Sequence, residues 1–260
     1  MQVPAEKRPK LLAHNGIVAV GLSCAPTAVP TPFCSCPHPR PCTSYLCSGS
    51  CRSVPLLACV HRAAVACRRS VVVNTAKTVA KHLVLEFGAE FASVAGSLMP
   101  VVLDHCSRAK ESSVWMPCKE LAPYLAGTLP SAKAVDAILA RTRKDAATGA
   151  SQHAGCREAA GLSLLEMLHA AIREGNAPPA VPQPLRALVL PRAAEVGAAI
   201  YALVTDASVV RGHCPPDIRT VGIDCHAALR SLDEAAAAAV YAQVKKEQPK
   251  ALLDRLVGQP

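Results

Sequence analysis

From residue 70 onward the apolar positions fall at steps of three and four. Val72, Val73, Ala76, Val79, Ala80, Leu83 and Phe87 mark one face of a helix over 70–87. Gly88 ends that run. Val94, Leu98, Val101 and Val102 then mark a second helix over 91–106, where Pro100 predicts a kink or a local interruption. The pair makes a helical hairpin of about 35 residues, the size of one repeat in many stacked helical proteins.

The same unit recurs. The spacing predicts helices over 112–129 and 131–143 with Pro130 in the turn, and a long helix over 151–172 burying Ala160, Leu164, Leu165 and Leu168. A proline-rich loop (Pro178, Pro179, Pro182, Pro184) leads to 185–204, followed by helices over 217–229, 233–246 and 250–257. No stretch alternates with the two-residue period of a strand. The pattern predicts an all-α fold, an α-solenoid or compact array of helical hairpins.

The first part of the chain has a different composition. Residues 23–55 are rich in Pro, Ser and Cys, and the prolines at 26, 30, 32, 37, 39 and 41 prevent any regular element from crossing them. Such a tract has little to bury and much entropy to lose on ordering. The expectation is a largely disordered, low-complexity segment over 1–67 and a folded helical domain over 68–260. The overall makeup, 51% hydrophobic but only 3% aromatic, suits an alanine-rich helical core better than a β-sandwich.

Charge divides at nearly the same place. Met1 to Leu85 holds ten Lys or Arg against the single acid Glu6, whereas the remainder has eighteen of each sign. The net charge of +9 therefore belongs to a segment and not to a basic face, which argues against a nucleic-acid-binding domain.

Several kinds of chemistry bear on these residues. Cys34, Cys36, His38, Cys42, Cys47 and Cys51 could ligate zinc, but the tract lacks the paired Cys-x-x-Cys spacing, and an unstructured tract is the preferred reading. The isolated cysteines of the helical part disfavour a disulfide framework. Lys7, Arg8 and Lys10 before an apolar stretch give partial likeness to a signal or transit peptide, interrupted by His14 and Asn15. No phosphate loop, nucleophile elbow or His-Glu-x-x-His motif occurs, so no catalytic residue, metal or cofactor is assigned. His213 and Cys214, with Cys225 and His226, are the one His/Cys pairing outside the N-terminal tract. Adjacent Cys225 and His226 diverge by about 100° on a helix, which is awkward for a shared ion. Cys106, Cys118 and Cys156 fall in or beside apolar faces and read as small hydrophobes.

Several motifs carry a resemblance. Ser70-Val-Val-Val-Asn-Thr-Ala, then Leu85-Glu-Phe-Gly-Ala-Glu-Phe, then Leu98-Met-Pro-Val-Val-Leu, resemble the TOG domain of the CLASP N-terminal family. There a helix beginning S-x-V-V-x-x-A runs to an L-G-x-x-F turn and on to L-M-P-x-L-L. Ser231-Leu-Asp-Glu-Ala, Ala239-Val-Tyr-Ala and Gln248-Pro-Lys-Ala-Leu-Leu are similar to the closing repeat of that family. The resemblance spans about residues 68 to 258 and rests on hydrophobic spacing plus two turn motifs, a pattern other HEAT repeats share.

This resemblance implies a paddle of HEAT repeats whose intra-repeat turns bind tubulin or microtubules, in the cytoplasm and without catalysis. The turns it implies lie near Gly88, Pro130, 174–184 and 245–250. The basic residues in or beside them are Lys133, Arg173, Lys245, Lys246 and Lys250, the candidate tubulin contacts. Cations at helix ends are also favoured by the helix dipole, which supplies the plainer explanation for each. A HEAT-type scaffold for another protein is the second reading, and an enzyme or organellar helical protein the third. One departure stands out: the family carries a tryptophan in the turn of its first repeat, whereas Trp115 lies in the second recognised repeat. Where a first repeat should stand, this chain has the Pro/Cys tract and residues 56–69.

Overall fold

Ser131, at the start of a helix, shows how local chemistry sets the boundaries: its hydroxyl accepts a hydrogen bond from the Ala134 amide at 3.4 Å. His153 Nδ1 does the same for the Gly155 amide at 3.2 Å, and Asp233 Oδ1 for the Ala236 amide at 2.9 Å. In the computed structural model these caps open three of the ten α-helices among the described residues. The structure describes residues 70–106, 112–143, 153–178, 182–206, 218–247 and 250–257. The chain separates into Met1–Val60 and His61–Pro260, and every described residue belongs to the second unit. The expected disorder of 1–67 lies outside the described residues.

The helices are α1 (Ser70–Phe87), α2 (Ala92–His105), α3 (Ser112–Thr128), α4 (Ala132–Thr142) and α5 (Ala154–Gly175). They continue with α6 (Pro184–Val189), α7 (Ala193–Val204), α8 (Ile218–Leu232), α9 (Glu234–Glu247) and α10 (Lys250–Val257). Among the described residues there is no strand, and the fold is all-α. A 3-10 turn at Gly88–Phe91 joins α1 to α2, with Gly88 at φ +49°, the left-handed region that disfavours a side chain.

Two expectations are corrected. The run 185–204 is two helices joined by a 3-10 turn at Leu190–Arg192, because Pro191 has no amide to donate to the preceding turn. At Pro100, where a kink or a local interruption was expected, α2 is not interrupted; α3 likewise runs through Pro117 and Pro123. The same breaks qualify the two stretches long and apolar enough for a bilayer, Val71–His105 and Pro184–Val204. Each contains a 3-10 turn and is not one continuous helix.

Side-chain pairs give the register of packing. Lys77 of α1 meets Glu120 of α3 at 2.7 Å, and Lys81 lies over the Tyr124 ring at 5.1 Å. Lys119 of α3 meets Glu158 of α5 at 2.5 Å, and Arg255 of α10 donates to Thr220 of α8 at 3.2 Å. Contacts advance together along each neighbouring pair: Lys77 with Glu120 and Lys81 with Tyr124, Lys119 with Glu158 and Gly127 with Glu166, Gly161 with Val221 and Ile172 near Ser231, Arg255 with Thr220 and Leu256 near His226. Helices α1, α3, α5, α8 and α10 therefore run parallel in one row, each packed on the next.

A second row holds α2, α4, α7 and α9. Asp104 and Arg141, late in α2 and α4, pair at 2.7 Å, and Tyr201 and Glu247, late in α7 and α9, share a hydrogen bond. Between rows the sense reverses: Gly155 at the start of α5 abuts the Cys106 carbonyl at the end of α2, and Gly222 early in α8 abuts Val204 at the end of α7. Short α6 lies on α5, its first amides accepted by the Glu174 carboxylate: Leu185 N at 3.2 Å and Arg186 N at 2.8 Å.

The core includes fully buried Leu98, Met99, Leu103, Leu121, Leu125, Ile138, Leu164, Met167, Leu168, Ile200 and Leu203. Each such side chain contributes about 1.5 to 3 kcal/mol by leaving water. Helix α1 has one neighbour in its row and leaves Val71, Val79, Leu85 and Phe87 exposed.

Candidate functional site

Because rows run in opposite senses, the array has two distinct edges. One gathers the C-termini of the first row and the N-termini of the second. It contains the turns inside the hairpins: Gly88–Phe91, Leu129 to Ser131, the connection after Gly175, and Asp233. The other gathers the second row's C-termini and the first row's N-termini.

Lys133, second residue of α4, and Arg173, in the last turn of α5, are exposed on the hairpin-turn edge. Lys245 and Lys246, in the last turn of α9, are exposed on the other edge, and Lys250 opens α10 there. The expectation that these five residues occupy turns along one edge is therefore corrected. The connection 245–250 leads from the second row back to the first, so it falls at the opposite end from Gly88, Pro130 and Arg173. A 14-residue helix such as α9 spans about 21 Å, which is the scale of the separation. The hairpin turn that should have completed the first set is Asp233, an acid.

The two edges differ in charge. On the hairpin-turn edge, Arg192 is held by Asp136 at 2.6 Å and Glu195 at 2.8 Å. Hydrogen bonding to Glu195 raises the Arg192 pKa, and the same bond lowers that of Glu195. Glu90 and Glu234 are exposed there beside Lys133 and Arg173, leaving no excess of positive charge.

On the opposite edge the acids are largely committed. Asp104 accepts from Arg141, and Asp206 from buried Arg157. Glu247 accepts from the Tyr201 hydroxyl, a bond that raises the tyrosine pKa. Lys245 and Lys246 form no ion pair among the described residues. Sequence reasoning missed Arg219, second residue of α8, whose Nε is buried without a hydrogen-bond partner among the described residues. Nothing in the apolar spacing around it marks that position. Its place beside the α10 N-terminus is visible only once the first row is assembled.

The buried polar groups serve the fold. Cys106, Cys118, Cys156 and Cys225 are free and buried, as small hydrophobes would be. Desolvation pushes the Cys118 thiol up to about 12 and that of Cys156 up to about 11; those of Cys106 and Cys225 are raised too. A thiol held protonated is a poor nucleophile. Cys225 Sγ donates to the Gly161 carbonyl at 3.6 Å, while His226 Nε2 donates to the Ala237 carbonyl at 3.1 Å. Their partners lie on different helices, as the divergence of adjacent side chains requires. Among the described residues no group of three His, Cys, Asp or Glu is placed to hold a metal ion. His213, Cys214, the N-terminal Cys/His tract and the Trp115 side chain lie outside the described residues.

An open groove of about 350 Å³ between α5 and α8 is lined by Leu165, His169, Ile172, Asp224 and Ser231. Its one close polar pair, His169 with Glu166 at 4.0 Å, is half-exposed and activates no nucleophile. Among the described residues, Lys133, Arg173, Lys245 and Lys246 are exposed at the edges of the array. No known protein family matches the chain, and no characterised protein matches it.

Proposed function

We propose that this chain is a non-catalytic module that binds tubulin or microtubules in the cytoplasm, built as an α-solenoid of HEAT-like hairpins of the TOG type. The observation that carries the reading is the two-row register. Parallel helices within each row bring successive hairpin turns to one edge, the arrangement by which stacked repeats present an extended binding surface. Support for the reading comes from the residues that carry the resemblance: Ser70 opens α1, Gly88 lies in the turn after it, and Leu98 to Leu103 lies within α2. Lys133, Arg173, Lys245, Lys246 and Lys250 remain the candidate contacts for an acidic partner, divided between two edges.

A second reading, a HEAT-type scaffold for a partner other than tubulin, is favoured by one observation. The hairpin-turn edge carries Glu90, Asp233 and Glu234 beside its two lysine and arginine candidates, a poor match to an acidic surface. Co-elution of the full chain with purified tubulin in size-exclusion chromatography separates the two. A salt-sensitive complex supports the first reading, and absence of any complex at tens of micromolar tubulin leaves the second.

A further inference from the structure

We infer that a second copy of this chain packs on the outer side of α1, pairing the two α1 helices antiparallel about a twofold axis through Val79. This goes beyond the proposed function and needs no tubulin.

The surface is a single ridge. Val71, Thr75, Val79, Leu83 and Phe87 follow at four-residue steps along α1. Val71 is 66% exposed and Val79 and Phe87 40% each, with Thr75 and Leu83 half-buried between them. The ridge bears no charge, and the Thr75 hydroxyl donates to the Val71 carbonyl at 2.9 Å, so its one polar side chain is already satisfied. Lys77 and Lys81 turn to α3, where they meet Glu120 and Tyr124. Val79 lies two residues from each, about 200° around the helix, and so faces away from α3.

The two ends of the first row differ in this respect. Among the described helices, α3, α5 and α8 have a neighbour of that row on both sides. At the far end, α10 turns buried Leu252 and Leu256 inward, and Asp254, two residues from each, is exposed on its outer side. A polar outer side is what keeps the last unit of a stacked array soluble. Helix α10 has one, whereas α1 offers an apolar ridge.

The ridge complements itself. An isologous pair needs a surface that fits its own copy when reversed. Turned about Val79, Val71 meets Phe87 of the second copy and Thr75 meets Leu83 of the second copy. Charge follows the same reversal. Helix α1 has no acid in its first turn, while Glu86 stands exposed in its last turn, where the negative end of the dipole disfavours it. In the antiparallel pair each Glu86 lies toward the first turn of the other α1, the positive end of that dipole. An 18-residue helix is about 27 Å long, so the two bury on the order of 1,000 Å² together, the low end of specific interfaces. The pair therefore exchanges with monomer at micromolar concentration.

Sedimentation velocity of the full chain tests this, in a reductant that keeps the cysteines before Ser70 from cross-linking copies. Between about 5 and about 200 µM the mean mass is expected to rise from 27.1 kDa toward twice that value. Val79→Glu, which sets two like charges on the axis, is expected to weaken association at least about tenfold, and Thr75→Arg on the same ridge to do the same. Leu85→Glu is the control. Leu85 is 74% exposed but continues the Lys77–Lys81 line, so this variant stays within about twofold of the parent. Circular dichroism checks that all three variants fold. A parent that stays monomeric at about 200 µM overturns the inference, since the ridge is then covered from within the chain or left to another protein. Association that survives both ridge variants, or that Leu85→Glu weakens as much, overturns it too, because the copies then meet elsewhere or by undirected apolar contact.

Discussion

Arg157 and Asp206 form a buried ion pair that locks the first turn of α5 to the residue just beyond α7. Arg157 Nε lies 2.5 Å and Nη2 3.3 Å from the Asp206 carboxylate oxygens, and the two side chains are only 2% and 1% exposed. The forked geometry joins the two rows at the edge where α8 also begins. Replacing Asp206 by Ala removes this carboxylate from a buried guanidinium and is expected to destabilise the fold, by up to about 3 to 5 kcal/mol. Urea denaturation measures this. An Arg157→Met/Asp206→Leu double variant is expected to recover most of the loss, because well-packed apolar residues commonly replace a buried pair without penalty.

Two glycines should respond to alanine for different reasons. At Gly222 an added Cβ would lie 2.7 Å from the Val204 amide nitrogen and 2.9 Å from the Leu203 carbonyl carbon, both backbone atoms. The α7–α8 contact must open, at about 1 to 3 kcal/mol. At Gly88 the space around Cβ is open, but φ is +49°, so Gly88→Ala costs about 1 to 2 kcal/mol through backbone conformation alone. Gly88→Asn, which tolerates that region better, is expected to recover part of the loss, whereas Gly222→Asn is worse than Gly222→Ala. Thermal melts of the four variants decide it.

His226 makes stability depend on pH in a defined direction. Burial lowers its pKa below the usual 6.5, outweighing the bond to the Ala237 carbonyl, so the folded state holds the ring neutral. A lowered folded pKa means a contribution present above about pH 6.5 and lost as pH falls through the folded value. Arg230, Glu234 and Tyr241 flank the same cavity beside Leu256 and set its local field. The melting temperature of the parent should drop between neutral pH and pH 5 more steeply than that of His226→Gln. Parallel curves would contradict this.

The buried thiols supply the opposite case. With the Cys118 and Cys156 pKa values raised to about 12 and about 11, above the usual 9.0, folding favours the protonated form. That contribution is complete below about pH 9 and is lost as pH rises toward the folded values. In the native protein at pH 8, iodoacetamide should label Cys106, Cys118, Cys156 and Cys225 far more slowly than after unfolding. Peptide mass spectrometry reads each site, and prompt labelling of any of the four in the native state is the contrary result.

The helical pattern was largely legible from spacing because most helices here are amphipathic. Residues 70–87 and 250–257 are helical over the ranges expected, and the internal boundaries differ by a few residues where caps such as His153 and Asp233 decide them. Of the kink or interruption expected at Pro100, the interruption does not occur, and α2 runs on, packed against α3 and α4. Spacing missed Pro191, hidden inside a run that otherwise keeps helical period. The five candidate cations were visible as helix-end residues, but their division between edges was not. Which end a turn occupies depends on counting reversals of direction through the whole array, and α6 with its 3-10 turn obscured that count. Arg157 and Asp206, 49 residues apart, carry no local sign of their pairing.

The most direct test of the account is binding of the full chain to purified tubulin at low and at physiological salt, with Lys245→Glu/Lys246→Glu alongside. The account predicts a complex that co-elutes, weakens with salt, and is reduced about tenfold by the double reversal. No complex at tens of micromolar tubulin, with the chain folded and monodisperse, would contradict it.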